Sequence, residues 1–266
     1  MDAVSTSERK SVPYRDKTLL FDFDGTLSLG VGPVVAYARA AAHQLPDGDA
    51  EAFVDTVVAT LVEHPSGRAP GTNAIDGYDL VRLLSADHGI RPESLGEAYL
   101  TSRAHLGTTL APVVAPDGLA DFLLEARTYG NLVVATNAPD IRIDDALEVL
   151  GLGGLFDAVY TSLGKPNGLG AVLDEWLPRG QVLSIGDVWA NDLAPAQARG
   201  ALTALVGPTV DETPDVTPTF SAHHLHELYP AITEWLHTPH PAETLAPRTA
   251  RITAPSSASL TAIPER

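Results

Sequence analysis

The chain has 266 residues, of which 44% are hydrophobic and 19% charged. That length suits one domain with a sizeable insertion, and that composition excludes global disorder. Lys+Arg at 17 against Asp+Glu at 34 gives a net charge of −17, and there is no cysteine. The charge argues against a nucleic-acid or basic membrane-surface protein, whose phosphate affinity comes from clustered cations. The missing thiols exclude disulfide frameworks, thiolate metal sites, iron–sulfur clusters and cysteine nucleophiles together.

Residues 1–16 are polar, lack the apolar stretch of a signal peptide and are expected to be flexible. No apolar run approaches the roughly 18 residues of a membrane span, so cytoplasmic residence is the default expectation. The first strong element is Thr18–Phe23, an apolar run halted by Asp24 and Gly25. It reads as a buried strand of a parallel sheet. Residues 31–113 then read as four helices, at 33–45, 49–63, 75–87 and 93–107. Pro46–Gly48, His64–Asn73 and Gly89–Pro92 separate them. This block is an insertion, expected to form a helical cap over the sheet.

Further strand runs follow at Leu132–Ala135, Ala158–Tyr160, Val182–Ile185 and Leu202–Val206. Helical patterns at 118–128, 141–150, 169–177 and 191–199 alternate with them. The alternation predicts an open, doubly wound α/β parallel sheet, with a core domain over 17–30 and 114–237. His223–His237 reads as an amphipathic helix closing that domain. The tail 238–266, rich in Pro, Ser, Thr and Ala, is expected to be disordered.

Asp22 and Asp24 stand at the carboxyl end of the first strand. In extended chain, side chains at i and i+2 point the same way, so both carboxylates can face one site. Open α/β sheets bind ligands at that end of their strands. Asp-Gly by itself also fits a plain acidic turn, but charge stranded beside a buried strand is costly unless paired or metal-bound.

The string DFDGTL at 22–27 resembles the first motif of the haloacid dehalogenase-like hydrolase superfamily. Three further motifs resemble its others in the same order, each in a strand-end context: VVATN at 133–137, GKPN at 164–167 and IGDVWAND at 185–192. The resemblance covers about 17–237 and implies a Rossmann-like core. It implies Asp22 as the nucleophile that forms an aspartyl-phosphate, and Asp24 as the general acid and base. It also implies Mg²⁺ on Asp22, the backbone carbonyl of Asp24, and Asp187, since hard oxygen ligands suit that ion. Thr136 and the amide of Asn137 would hold phosphoryl oxygens, and Lys165 would offset charge on nucleophile and phosphate. Asp192 would position Lys165.

Plainer readings stand beside these. Thr136 also fits a helix cap, Lys165 a solvated loop cation, and Asp192 an acidic residue at a helix N-terminus. Trp189 fits packing or a site rim. His223, His224 and His226 fit an exposed polar turn better than a metal site. In the insertion, Arg68, Tyr78, Arg82 and Arg103 are candidates for touching substrate, although solvated helix faces explain most such residues.

A long gap from Asp24 to Thr136 and a short one from Asn137 to Lys165 resemble the helical-cap, phosphoglycolate-phosphatase-like branch. The implied activity is Mg²⁺-dependent hydrolysis of a small phosphorylated metabolite. The alternatives are a sugar phosphomutase and a non-catalytic phosphometabolite-binding protein. The superfamily's dehalogenases lack an acid at the position of Asp24, and its phosphonate hydrolases need a cap lysine. No lysine lies between residues 18 and 164. No nucleic-acid or membrane partner is expected, and the chain is expected to be a monomer or homodimer.

Overall fold

The structure is a computed structural model that describes residues 15–239. The expectations for residues 1–14 and 240–266, a flexible N-terminus and a disordered tail, lie outside the described residues. Six strands form one sheet: β1 Lys17–Phe21, β2 Asn131–Ala135, β3 Ala158–Tyr160, β4 Gln181–Gly186, β5 Leu202–Val206 and β6 Phe220–Ala222. All pairings are parallel, in the order β3-β2-β1-β4-β5-β6. The central strands are buried on both faces, which is why they read as unbroken Leu, Val and Phe runs instead of alternating.

Strand β1 is the point from which the chain winds both ways, toward β2 and β3 on one side and β4 to β6 on the other. A crevice opens at the carboxyl ends of the strands at such a reversal. Register puts Phe21 opposite both Val134 and Ile185. The residues following β1, β2 and β4 therefore meet at one place.

Between β1 and β2 lie α1 Gly32–Ala42, α2 Asp47–Glu63, α3 Gly77–Asp87 and α4 Pro92–Arg103. They bury a core of their own, including Tyr37, Phe53, Val57, Leu61, Leu80 and Val81. The sheet faces are covered by α5 Leu119–Ala126, α6 Ile143–Val149, α7 Leu169–Trp176 and α8 Ala194–Gln197, with α10 Tyr229–His237, while the short α9 Thr209–Glu212 follows β5. Buried Lys17 reaches the carbonyl oxygens of Trp235, Leu236 and Thr238. It adds a donor to the carbonyls at the end of α10 and sets a cation at the negative end of that helix.

Several elements differ from the sequence reading. Strand β1 ends at Phe21, because Phe23 already accepts turn bonds from the Leu27 and Ser28 amides. The helix expected at 191–199 is instead a π turn, Trp189–Leu193, followed by the short α8. Pro195 lies in the first turn of α8, where a missing amide is tolerated. Strand β6 is an addition to the expected set, a three-residue edge strand. The final helix begins at Tyr229, after a 3₁₀ turn at Leu225–Leu228, and not at His223.

Candidate active site

Asp22 leaves β1 with its amide still bonded to the Ile185 carbonyl at 2.9 Å, so its carboxylate projects from the sheet edge into the crevice. Lys165 Nζ donates to Asp22 Oδ1 and to Asp192 Oδ1, both at 2.6 Å. Lys165 is 8% exposed and Asp192 4%. Burial disfavours the Lys165 cation, but the two carboxylates outweigh it and raise its pKa, so it stays charged. The same burial lifts Asp22 to about 7, with Asp192 and Asp24 adding repulsion and Lys165 opposing them.

Lys165 is itself fixed by Asn137. The Asn137 Oδ1 accepts from the Lys165 backbone amide at 2.6 Å. Asp192 is fixed by the turn after β4, where its Oδ2 accepts from the Val188 amide at 3.0 Å. Thr136 is buried, and its Oγ1 accepts from the Ala138 amide at 3.0 Å. The cap-like contact thus exists, and it leaves the Thr136 hydroxyl proton with no acceptor among the described residues.

Asp187 follows β4 and faces Asp22. Carboxylate oxygens of Asp22, Asp187 and Asp192 lie within 4.8 Å of one another. Asp187 Oδ1 is buried without a hydrogen-bond partner. Burial, then the charges of Asp22 and Asp192, push the Asp187 carboxyl well above its ordinary range. Three converging acids with an orphaned oxygen fit a hard divalent cation such as Mg²⁺. Both Asp192 oxygens are engaged, so Asp22 and Asp187 are the side chains that would hold it.

Asp24 is directed differently from Asp22. Its Oδ1 accepts from Tyr78 Oη at 3.0 Å, and Arg103 Nη1 reaches its two oxygens at 3.1 and 3.2 Å. Arg103 Nη1 also donates to Tyr78 Oη at 2.9 Å. Arg103 is 1% exposed at the end of α4, and Tyr78 opens α3. The insertion therefore clamps Asp24 with a buried guanidinium and a phenol. Tyr78 and Arg103 were candidates in the sequence, but toward substrate. Their common target is Asp24, separated from them by 54 and 79 residues. No short-range pattern signals such a contact.

All seven sequence-predicted residues, Asp22, Asp24, Thr136, Asn137, Lys165, Asp187 and Asp192, line one cavity of about 370 Å³. Residues of the insertion close its other side, Asp76, Tyr78 and Tyr99 among them. The three arginines singled out in the sequence do not line it: Arg68 approaches Glu212 at 3.7 Å and Arg82 pairs with Asp79 at 2.7 Å. Trp189 is half-buried and also absent from the lining. His223, His224 and His226 are exposed, and His223 bonds Asp211 at 2.9 Å. Among the described residues, the only grouping suited to a metal is the aspartate trio.

The family model for haloacid dehalogenase-like hydrolases matches residues 17–200. The chain belongs to this family. It is therefore a hydrolase of the superfamily, an enzyme on a Rossmann-like core. A Haemophilus somnus protein described as a predicted phosphoglycolate phosphatase superposes with a TM-score of 0.55 at 18% identity, covering 83% of this chain and 98% of that one. A superfamily hydrolase of Bacillus subtilis, solved bound to magnesium, gives 0.53 at 21% identity over 82% and 99%. An L-2-haloacid dehalogenase gives 0.51 at 21% identity over 82% and 98%. At such identities these likenesses establish the fold, which phosphatases and dehalogenases share. No curated protein matches the sequence. No helix among the described residues is long and apolar enough to cross a membrane.

Proposed function

We propose that this hydrolase is a Mg²⁺-dependent phosphatase for small phosphate monoesters. The observation that carries the reading is Asp22, held by Lys165 and facing the orphaned oxygen of Asp187. A carboxylate beside a fixed ammonium and a place for a divalent cation is equipped to attack an anionic phosphorus centre. Asp22 and Asp187 would hold Mg²⁺, whose charge would offset the repulsion between a carboxylate nucleophile and an anionic phosphate.

In the first step an Asp22 oxygen bonds to phosphorus as the bond to the ester oxygen breaks. Asp24 gives its proton to the departing alkoxide. In the second step water attacks the aspartyl-phosphate, Asp24 takes the water's proton, and inorganic phosphate leaves with Asp22 restored. Thr136 has a free hydroxyl proton for a phosphoryl oxygen, and Lys165 balances the growing charge. Arg103 and Tyr78 orient Asp24 between steps. Asp24 also favours ester hydrolysis over dehalogenation, because a departing halide needs no proton.

Purified protein with Mg²⁺ should release phosphate from a generic aryl phosphate, and Asp22→Asn should abolish that release while the fold persists. Turnover that survives Asp22→Asn, or excess chelator, rules the proposal out.

A further inference from the structure

We infer that the alcohol portion of the substrate is uncharged or cationic, and that esters bearing a second anion on that portion are disfavoured. This rests on the phosphatase reading and concerns the half of the cavity away from the reacting phosphorus. Among the described residues, the cavity lining contains one cation, Lys165, and it is committed to Asp22 and Asp192. The opposing wall comes from the insertion. Val34, Leu61, Tyr78 and Tyr99 supply apolar and aromatic surface there, and its single charged group is Asp76.

The insertion has five arginines and no lysine, and none of the five lines the cavity. Arg103, the one nearest the reacting groups, is 1% exposed and uses its Nη1 on Asp24 and Tyr78, while its Nε and Nη2 are buried away from the cavity. Arg68 faces Glu212 and Arg82 faces Asp79. Asp76 is held in place by the start of α3, where its Oδ1 accepts from the Asp79 amide at 2.7 Å. A carboxylate or second phosphate on the leaving group would lose water against this wall, meet Asp76, and find no counter-charge. An alcohol with apolar surface gains from Leu61, Val34 and the tyrosine rings, and a cationic one also gains from Asp76. Selectivity of this kind comes from an unpaired charge in the rejected ligand as much as from attraction to the accepted one.

Three alkyl esters of similar size test the inference with Mg²⁺ present: propyl phosphate, phosphocholine and phosphoglycolate. The first two should show kcat/KM at least about tenfold above phosphoglycolate. Asp76→Asn, which keeps a good helix cap but removes the charge, should narrow that ratio. For an ester that is not itself turned over, its inhibition constant against an aryl phosphate reads the same preference. Equal or better use of phosphoglycolate overturns the inference and leaves the phosphatase reading standing. Absence of turnover on every ester, the aryl phosphate included, removes both.

Discussion

At the scale of single residues, the site is built from charges that are unfavourable alone. Asp187 has a buried oxygen with no partner, beside two further carboxylates. Asp187→Asn removes one of the repelling charges, so the metal-free protein should melt higher. The increment is a few degrees, at about 2–4 °C per kcal/mol for a domain of this size. Added Mg²⁺ should raise the melting temperature of the wild type and fail to raise that of the variant. Scanning calorimetry with and without Mg²⁺ checks both, and a lower metal-free value for Asp187→Asn contradicts the reading. Asp24→Ala should behave in the opposite way. It strands the buried Arg103 guanidinium, whereas Asp22→Asn leaves Lys165 its bond to Asp192. Loss of one partner of a buried pair costs about 3–5 kcal/mol, and the 24% exposure of the Asp24 side chain reduces that here. Urea denaturation should therefore place Asp24→Ala below Asp22→Asn.

At the scale of elements, the turn after β4 is set by how closely its two ends approach. A Cβ on Gly186 would lie 2.4 Å from Asp192 Cβ, so only glycine lets Asp192 fold back against the strand end. Gly186→Ala should push Asp192 away from Lys165 and lower kcat by about 100-fold, the scale expected for misplacement near 1 Å. Steady-state kinetics on an aryl phosphate, beside an unfolding curve to confirm a folded variant, measures this. The example also shows why so much of the site was legible in the sequence. Asp22, Thr136 and Asp187 each directly follow a buried apolar run, and parallel strands bring such ends together. Asp192 and Lys165 were legible through their short spacing from these ends. Elements whose form depends on tertiary partners were not. Phe220–Ala222 is a strand because it can pair with β5, and three residues carry no period of their own. The π turn at Trp189–Leu193 exists because Asp192 bonds back to Val188. The clamp of Arg103 and Tyr78 on Asp24 depends on how the insertion folds over the sheet.

At the scale of the whole molecule, the insertion's core shares no residue with the two clusters on the sheet faces. Polar contacts help join the two parts across the cavity: Asp24 with Arg103 and Tyr78, and Glu212 with Ser66 at 2.8 Å and Arg68 at 3.7 Å. The cavity they flank is lined by a single cation, Lys165, whereas the net charge of −17 is spread over the whole chain. A phosphate dianion thus meets a repelling field during approach and local cations only after entry. Salt separates these contributions, because the Debye length falls to about 10 Å at 0.1 M while buried pairs are screened much less. At saturating Mg²⁺, KM for a phosphate monoester should fall about two- to fivefold between roughly 20 and 200 mM salt, with little change in kcat. Proteins that draw anions in with basic clefts show the reverse dependence. A KM that rises with salt would mean that attraction at the site reaches well beyond the cavity mouth. The acidic surface would then have no part in substrate capture.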